Sequence, residues 1–324
     1  MSNITAPTFE QLSSEFDFLK SSEFESVKGV LCINSGNPGP MLGITVSTHG
    51  NEPSGLAALW YLRNEFKLTD NLLRGSVFLV LNNVRATERY FAACATQDDA
   101  AKKTARFCDH NMNRLPENSL ILKGDTRYEI LRVQELRPVW ERFEVAFDIH
   151  STQMPSDPMI IACGGLQEDL IKGFPVSILI TNIEKVQVEK PAVSFYGVEG
   201  RIKTLAIEAG SHENTSSFEC SIACTLALLK NLKLVAGENV ATPREYQVYE
   251  VAGSVLFPDL FFESEKIFEM FESITEGQIL ARGKGTRIVA DFDGHALMGR
   301  KEKKTTFLKE EVLFLSRPVR KLTI

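Results

Sequence analysis

A chain of 324 residues that is 44% hydrophobic and 24% charged has ample apolar material for a large core, which excludes global disorder. Its 36 Lys and Arg against 42 Asp and Glu leave a formal charge of −6 with no Lys/Arg-dense face, so a nucleic-acid footprint has no support. No apolar run is long enough to span a membrane, residues 1–25 lack a secretory apolar core, and the six cysteines form no CxxC pair; the expectation is a soluble cytoplasmic protein with free, mostly buried thiols.

MLGITVS (41–47) and SVFLVLNN (76–83) are near-continuous apolar runs, as expected of strands covered on both faces. Between them PSGLAALWYLRNEF has helical composition, with Leu56, Leu59, Trp60 and Leu62 apolar behind Pro53. YEILRVQELRPVWERF predicts a second helix, kinked or broken near Pro138. There follow strand VAFDIH (145–150), strand DPMIIAC, helix LQEDLIKGF, strand VSILITN and strand KTLAIEAG (203–210). In the next helix, SSFECSIACTLALLKNLKLV (216–235), Phe218, Ile222, Leu226 and Leu229 recur at helical spacing behind serine caps. Strands alternating with helices predict an α/β fold with a parallel or mixed sheet.

After residue 236 the texture changes. GENVATPREY reads as a linker, and GSVLF, GQILARGKGTRIVADFDGHALMG and EEVLFLS as short strands. FESEKIFEMFES is the one candidate helix there. The division expected is 1–235 and a small β-rich domain at 236–324. The basic runs RKEKK and RPVRK read as solvated strand faces.

Parallel sheets present ligands at the C-terminal ends of their strands. His49 and Glu52 follow the first apolar strand, and His150 ends the strand VAFDIH. Two histidines and a glutamate suit a catalytic zinc, which takes three protein ligands and keeps one position open. HxxE alone is weak, and a helix-capping carboxylate beside a satisfied histidine is its competing reading. Asp148 either alternates to the other face of its strand or backs His150 as a partner that fixes its tautomer. Glu208 ends the apolar run TLAI, where an unpaired carboxylate is expensive to desolvate. It is either a salt-bridged strand-end residue or, beside zinc, a general base and acid. Gly50 and Gly55 read as residues that let the loop turn so that His49 and Glu52 face one metal.

THGNEPSG, CDHNMNRLP, FDIHST and IEAGSHE, in this order, resemble the succinylglutamate desuccinylase/aspartoacylase family, over roughly residues 40–230. The resemblance implies a zinc-carboxypeptidase-like mixed sheet flanked by helices, with a β-rich C-terminal domain. It implies a zinc-dependent amidohydrolase acting on a small anionic N-acyl amino acid, one Zn²⁺ on His49, Glu52 and His150, and Glu208 as the catalytic carboxylate. The family has D-x-N-R where this chain reads Asn111-Met112-Asn113-Arg114. By resemblance Arg106 polarises the scissile carbonyl, while Asn113 and Arg114 grip the substrate carboxylate, as guanidiniums do bidentately. Asn111 in place of Asp removes a negative charge near these arginines. The chain's charge opposes an anion, but zinc and arginines within a few ångströms outweigh charges screened beyond a Debye length of ~8 Å. The aspartoacylase branch supplies a substrate-binding tyrosine from its C-terminal domain, and here no tyrosine follows Tyr249.

The rival readings are a carboxypeptidase-like zinc peptidase and a non-catalytic metal-binding module; no membrane or nucleic-acid partner is expected, and a homo-oligomer is compatible with the sequence. His110 reads as a polar loop residue, and His212 as a surface residue or a guide for Glu208. His295 could belong to a lid. Nothing marks Cys94 or Cys108 as a reactive thiolate, and Cys220 and Cys224, one turn apart, read as core-facing.

Overall fold

A computed structural model describes residues 4–116, 124–153, 155–187, 189, 192–194, 199–212, 214–239, 244–300, 303–304 and 311–324. Residues 240–243 of the expected linker, Glu213 of IEAGSHE, Lys301 and Glu302 of the first basic run and Glu310 of the last expected strand lie outside them.

The centre is a mixed twelve-stranded sheet. Val30–Asn34 forms one edge, then come Ser76–Leu81, Met41–Val46, Val145–Thr152, Lys203–Ser211, Met159–Ala162, Ile178–Thr181 and Glu245–Val255. The four strands Ser76–Leu81, Met41–Val46, Val145–Thr152 and Lys203–Ser211 are mutually parallel, so their C-terminal ends share one rim. Val30–Asn34 runs antiparallel to Ser76–Leu81, and Met159–Ala162 antiparallel to Lys203–Ser211, which makes the sheet mixed. The α/β expectation is met.

Both faces of this sheet are buried, which is why its strands read as unbroken apolar runs. On one side Ile44, Val46, Phe147, Ile149 and Ile207 pack with Leu56, Leu59 and Leu62 of helix Ser54–Asn64 and with Ile222, Leu228 and Leu229 of helix Thr215–Asn231. On the other side Phe78, Val80 and Ala146 meet Val133, Leu136 and Trp140 of helix Tyr128–Trp140. That helix runs through Pro138, which sits in its last turn, rather than breaking before it. The loss of one N–H there removes a hydrogen bond only next to a helix end.

The C-terminal stretch continues the sheet. Glu245–Val255 pairs parallel with Ile178–Thr181 and antiparallel with Leu313–Ser316 and Arg320–Thr323. Gly294–Leu297 and Ser273–Ile274 extend it, and Glu263–Ser264, Ile279–Gly283 and Thr286–Val289 form a separate three-stranded sheet. The segment FESEKIFEMFES is therefore not helical. Phe262 and Phe268 insert into the β-rich core with Leu280 and Leu313, and Phe271 adopts a left-handed φ of 65°, which no helix accommodates. Helix Phe9–Ser21, which composition alone does not announce, is fixed by a Thr8–Gln11 capping box and by burial of Leu12, Phe16 and Leu19. Lys303 and Lys304 of the first basic run are exposed, as are Arg317, Pro318, Val319 and Arg320 of the second. No helix among the described residues is long and apolar enough to cross a membrane.

Candidate metal centre and active site

Strand register brings the site together. Thr45 lies opposite Asp148, and His150 lies opposite Glu208 on the next strand. After Val46 the chain turns through Ser47, held at a φ of 56°, and the loop returns to start helix Ser54–Asn64 at Pro53. That helix has no side-chain cap, so capping is not what Glu52 does. Its Oε1 lies 2.7 Å from His49 Nδ1 and accepts from Arg106 Nη1 at 3.0 Å. Its Oε2 lies 2.8 Å from His150 Nδ1 and accepts from the Ser151 N–H at 3.4 Å. All three side chains are buried, and one ligand atom from each of His49, Glu52 and His150 lies within 4.8 Å of the others.

The outer nitrogens of the two histidines face different partners. His150 Nε2 is 3.0 Å from Asp148 Oδ2, two residues earlier on the same strand face. Asp148 is itself held by the hydroxyls of Thr45 (2.7 Å) and Thr48 (3.3 Å). His49 Nε2 is 3.0 Å from Asn111 Oδ1, and that oxygen also accepts from the Asn113 N–H at 2.9 Å. A backbone N–H only donates, so the atom is the carboxamide oxygen and His49 Nε2 carries the hydrogen. His49 Nδ1 then presents a lone pair to Glu52 Oε1 at 2.7 Å. Two lone pairs repel at that separation unless a cation or a proton stands between them. The donor set fits a zinc ion: two imidazole nitrogens and a carboxylate, each imidazole backed by an acceptor.

Electrostatics agree with a cation site. Burial, and then the Arg106 guanidinium, push the His49 imidazole below its ordinary range. Burial disfavours charge on Glu52 too, yet His49 and His150 hold its carboxyl well below the usual carboxylate range. Burial likewise opposes a charged His150, but Asp148 and Glu52 raise its imidazole well above normal. A divalent ion here competes with a proton on His150, so its binding weakens as pH falls.

Glu208 is partly buried, with Oε2 sealed from solvent and lacking a hydrogen-bond partner among the described residues. Burial, followed by the nearby Glu52 charge, pushes its carboxyl up to about 8. Among the described residues it forms no salt bridge.

The loop at residues 106–114 closes the site. The Gly50 N–H donates to Arg106 O at 2.9 Å, tying this loop to the His49 turn. Asn113 Nδ2 is 3.4 Å from His150 Nε2. Arg114 points its Nε at Glu311 Oε2 (2.7 Å) and one Nη at Asn113 O (2.8 Å). Glu311 lies 197 residues along the chain and has a fully buried side chain, so the C-terminal stretch contributes to this loop. Glu129, on helix Tyr128–Trp140, accepts from the backbone N–H groups of Cys108 (2.6 Å), Asp109 (2.9 Å) and His110 (2.9 Å) and from Asn83 Nδ2 (3.0 Å). Sequence reasoning misses both glutamates; partners that are backbone groups or distant in sequence leave no local pattern.

The remaining candidates lie outside the His49, Glu52 and His150 group. His110 Nδ1 accepts from Arg127 Nη1 at 3.3 Å, so its Nε2–H donates to Arg114 O at 2.5 Å, a loop-bracing role. His212 Nδ1 lies 2.9 Å from Ser151 Oγ. His295 packs edge-on against Tyr249 with ring centroids 5.3 Å apart. All six cysteines are free, Cys220 and Cys224 are buried, and burial pushes the Cys108 thiol up to about 11.

Gly50 lies in the turn of the loop and Gly55 in the first turn of helix Ser54–Asn64, and neither has a left-handed φ. They are needed for close approach. A Cβ on Gly50 would sit 2.2 Å from Ala86 C and 2.4 Å from Ala105 O, and one on Gly55 2.6 Å from Val46 Cγ1. Backbone atoms cannot yield, so Gly50→Ala is expected to lower stability by about 2 kcal/mol or more. Urea unfolding of the metal-free protein checks this, and an unchanged midpoint would refute it.

No match is found among curated proteins. Among solved structures, the chain resembles a succinylglutamate desuccinylase from Vibrio parahaemolyticus (14% identity, 90% of this chain and 86% of that one, TM-score 0.68). It also resembles murine aminoacylase 3 (19%, 89% and 98%, TM-score 0.58) and a succinylglutamate desuccinylase/aspartoacylase from Rhodobacter sphaeroides (15%, 89% and 88%, TM-score 0.61). At these identities the likeness establishes the fold. The succinylglutamate desuccinylase/aspartoacylase catalytic domain model matches residues 38–199, half of the chain and the whole stretch from the His49 turn through the arginine loop to His150. The chain therefore belongs to the succinylglutamate desuccinylase/aspartoacylase family.

Proposed function

We propose that this protein is a zinc-dependent amidohydrolase that cleaves the amide of an N-acyl amino acid, of acetyl or succinyl type, into a carboxylate and a free amino acid. The observation that carries the reading is the convergence of His49, Glu52 and His150 beside a Glu208 carboxyl with a sealed, unpartnered oxygen. Family membership supports the deacylase class.

His49 Nδ1, His150 Nδ1 and a Glu52 oxygen would hold Zn²⁺, which when bound supplies Lewis-acid polarisation, a water acidified toward about 7 and a field that returns Glu208 to its carboxylate form. Glu208 takes the proton of the attacking water as its oxygen bonds to the acyl carbon. The Arg106 guanidinium, 39% exposed and anchored through one Nη on Glu52, stabilises the developing oxyanion. Glu208 then gives its proton to the amide nitrogen, the C–N bond breaks, and the amino acid leaves. Asn113 and the Nη edge of Arg114, whose Nε is steadied by Glu311, hold the substrate carboxylate.

The test is a panel of N-acetyl and N-succinyl amino acids beside C-terminally varied peptides, with free amine as the readout and zinc-loaded protein as the enzyme. Deacylation of at least one N-acyl amino acid is expected. Peptide trimming without deacylation would favour a carboxypeptidase, and the absence of both activities a binding module.

A further inference from the structure

We infer that Asn111 sets the zinc affinity of this site low by backing His49 with a neutral acceptor, and that a carboxylate at this position would raise it. The inference rests on the zinc reading above and concerns a residue no ligand set includes.

The two histidines are placed alike and supported unequally. Each turns Nδ1 toward Glu52 and Nε2 toward an outer oxygen at 3.0 Å. For His150 the outer oxygen belongs to a carboxylate, Asp148, held in place by two threonine hydroxyls. For His49 it belongs to the Asn111 carboxamide, whose orientation is fixed by the Asn113 N–H. A hydrogen bond to a carboxylate is roughly twice as strong as one to a neutral oxygen, and it raises the electron density its imidazole offers a cation. His49 is thus the weaker donor of the pair. The substitution Asn111→Asp is isosteric, and Oδ1 would keep both of its present partners while adding a negative charge beside the cation. Asn111 is buried, so water does little to screen that charge.

The experiment measures zinc dissociation constants by competition with a chromogenic chelator, on metal-stripped full-length protein, for wild type, Asn111→Asp, Asn111→Ala, Asp148→Asn and His49→Ala. Asn111→Asp should bind zinc about 10–100-fold more tightly, and Asp148→Asn more weakly by a similar factor. Asn111→Ala, which removes the acceptor without adding charge, should weaken binding and serves if the aspartate variant does not fold. Zinc binding by wild type and Asn111→Asp within about twofold of each other would overturn the inference, as would Asn111→Ala binding as wild type does. Equal zinc in wild type and His49→Ala would instead overturn the assignment of the metal site itself.

Discussion

Glu208→Gln yields a folded protein whose turnover of its N-acyl amino acid falls about 10²–10⁴-fold, with kcat and kcat/KM reduced alike. The amide keeps the size of the side chain but neither accepts the proton of water nor returns it to the leaving nitrogen. Zinc content should stay at the wild-type level, because Glu208 is outside the His49, Glu52 and His150 group. The same variant has a second readout in the metal-free protein. Burial and the Glu52 charge raise the Glu208 carboxyl from 4.5 to about 8, so the folded state holds its proton more tightly than the unfolded state does. The stabilisation from this group is complete below about pH 4.5 and is lost as pH rises through about 8. Between those limits wild type should lose stability relative to Glu208→Gln, by a few kcal/mol in total. Urea midpoints of both proteins measured from pH 5 to 8.5 give the difference curve. A flat curve would show that the carboxyl is not perturbed by its site, and an unchanged kcat would show that it is not the base.

How much of this was legible in the sequence depends on whether a residue's partners leave a local trace. His49, His150 and Glu208 are polar residues ending apolar strand runs, and a parallel sheet gathers such ends on one rim. Their convergence follows from pattern plus register, and the ordered motifs carried the family. Glu52 could not be separated from a helix cap until the structure gave Pro53 as the N-cap and showed both carboxylate oxygens occupied by the site. The glycines of the same loop read as turn formers from the sequence, and the structure adds that they let backbone and side chains approach, a matter of tertiary contact. Asn111 was visible as a departure from the family pattern. Its effect was expected at the arginines, whereas folding of the loop carries it to the far side of His49. FESEKIFEMFES has the composition of a helix, but Phe262 and Phe268 are buried among β-strands, and that tertiary packing overrides propensity.

Glu129→Ala should destabilise the protein by about 3 kcal/mol or more and should do so through the active-site loop. The side chain is fully buried, and its two oxygens take all four of their donors from outside its own helix: three successive backbone N–H groups and the Asn83 amide. Removing the carboxylate leaves three partly buried peptide N–H groups without this acceptor, each worth about 1–3 kcal/mol if nothing replaces it; water entering the vacated volume recovers part of this. Glu129→Gln keeps one acceptor but turns an NH₂ toward N–H donors, so it should fall between wild type and alanine. The loop in question carries Arg106, Asn111, Asn113 and Arg114, each within four residues of the nearest anchored N–H group. Loosening it moves the groups proposed to hold the oxyanion and substrate carboxylate and the Asn111 carboxamide that backs His49. The folded fraction of Glu129→Gln should therefore show kcat/KM for the N-acyl amino acid, measured at saturating zinc, dropping well beyond the loss of folded protein. A kcat/KM per folded molecule equal to wild type would show that Glu129 anchors the fold and leaves the loop's chemistry untouched.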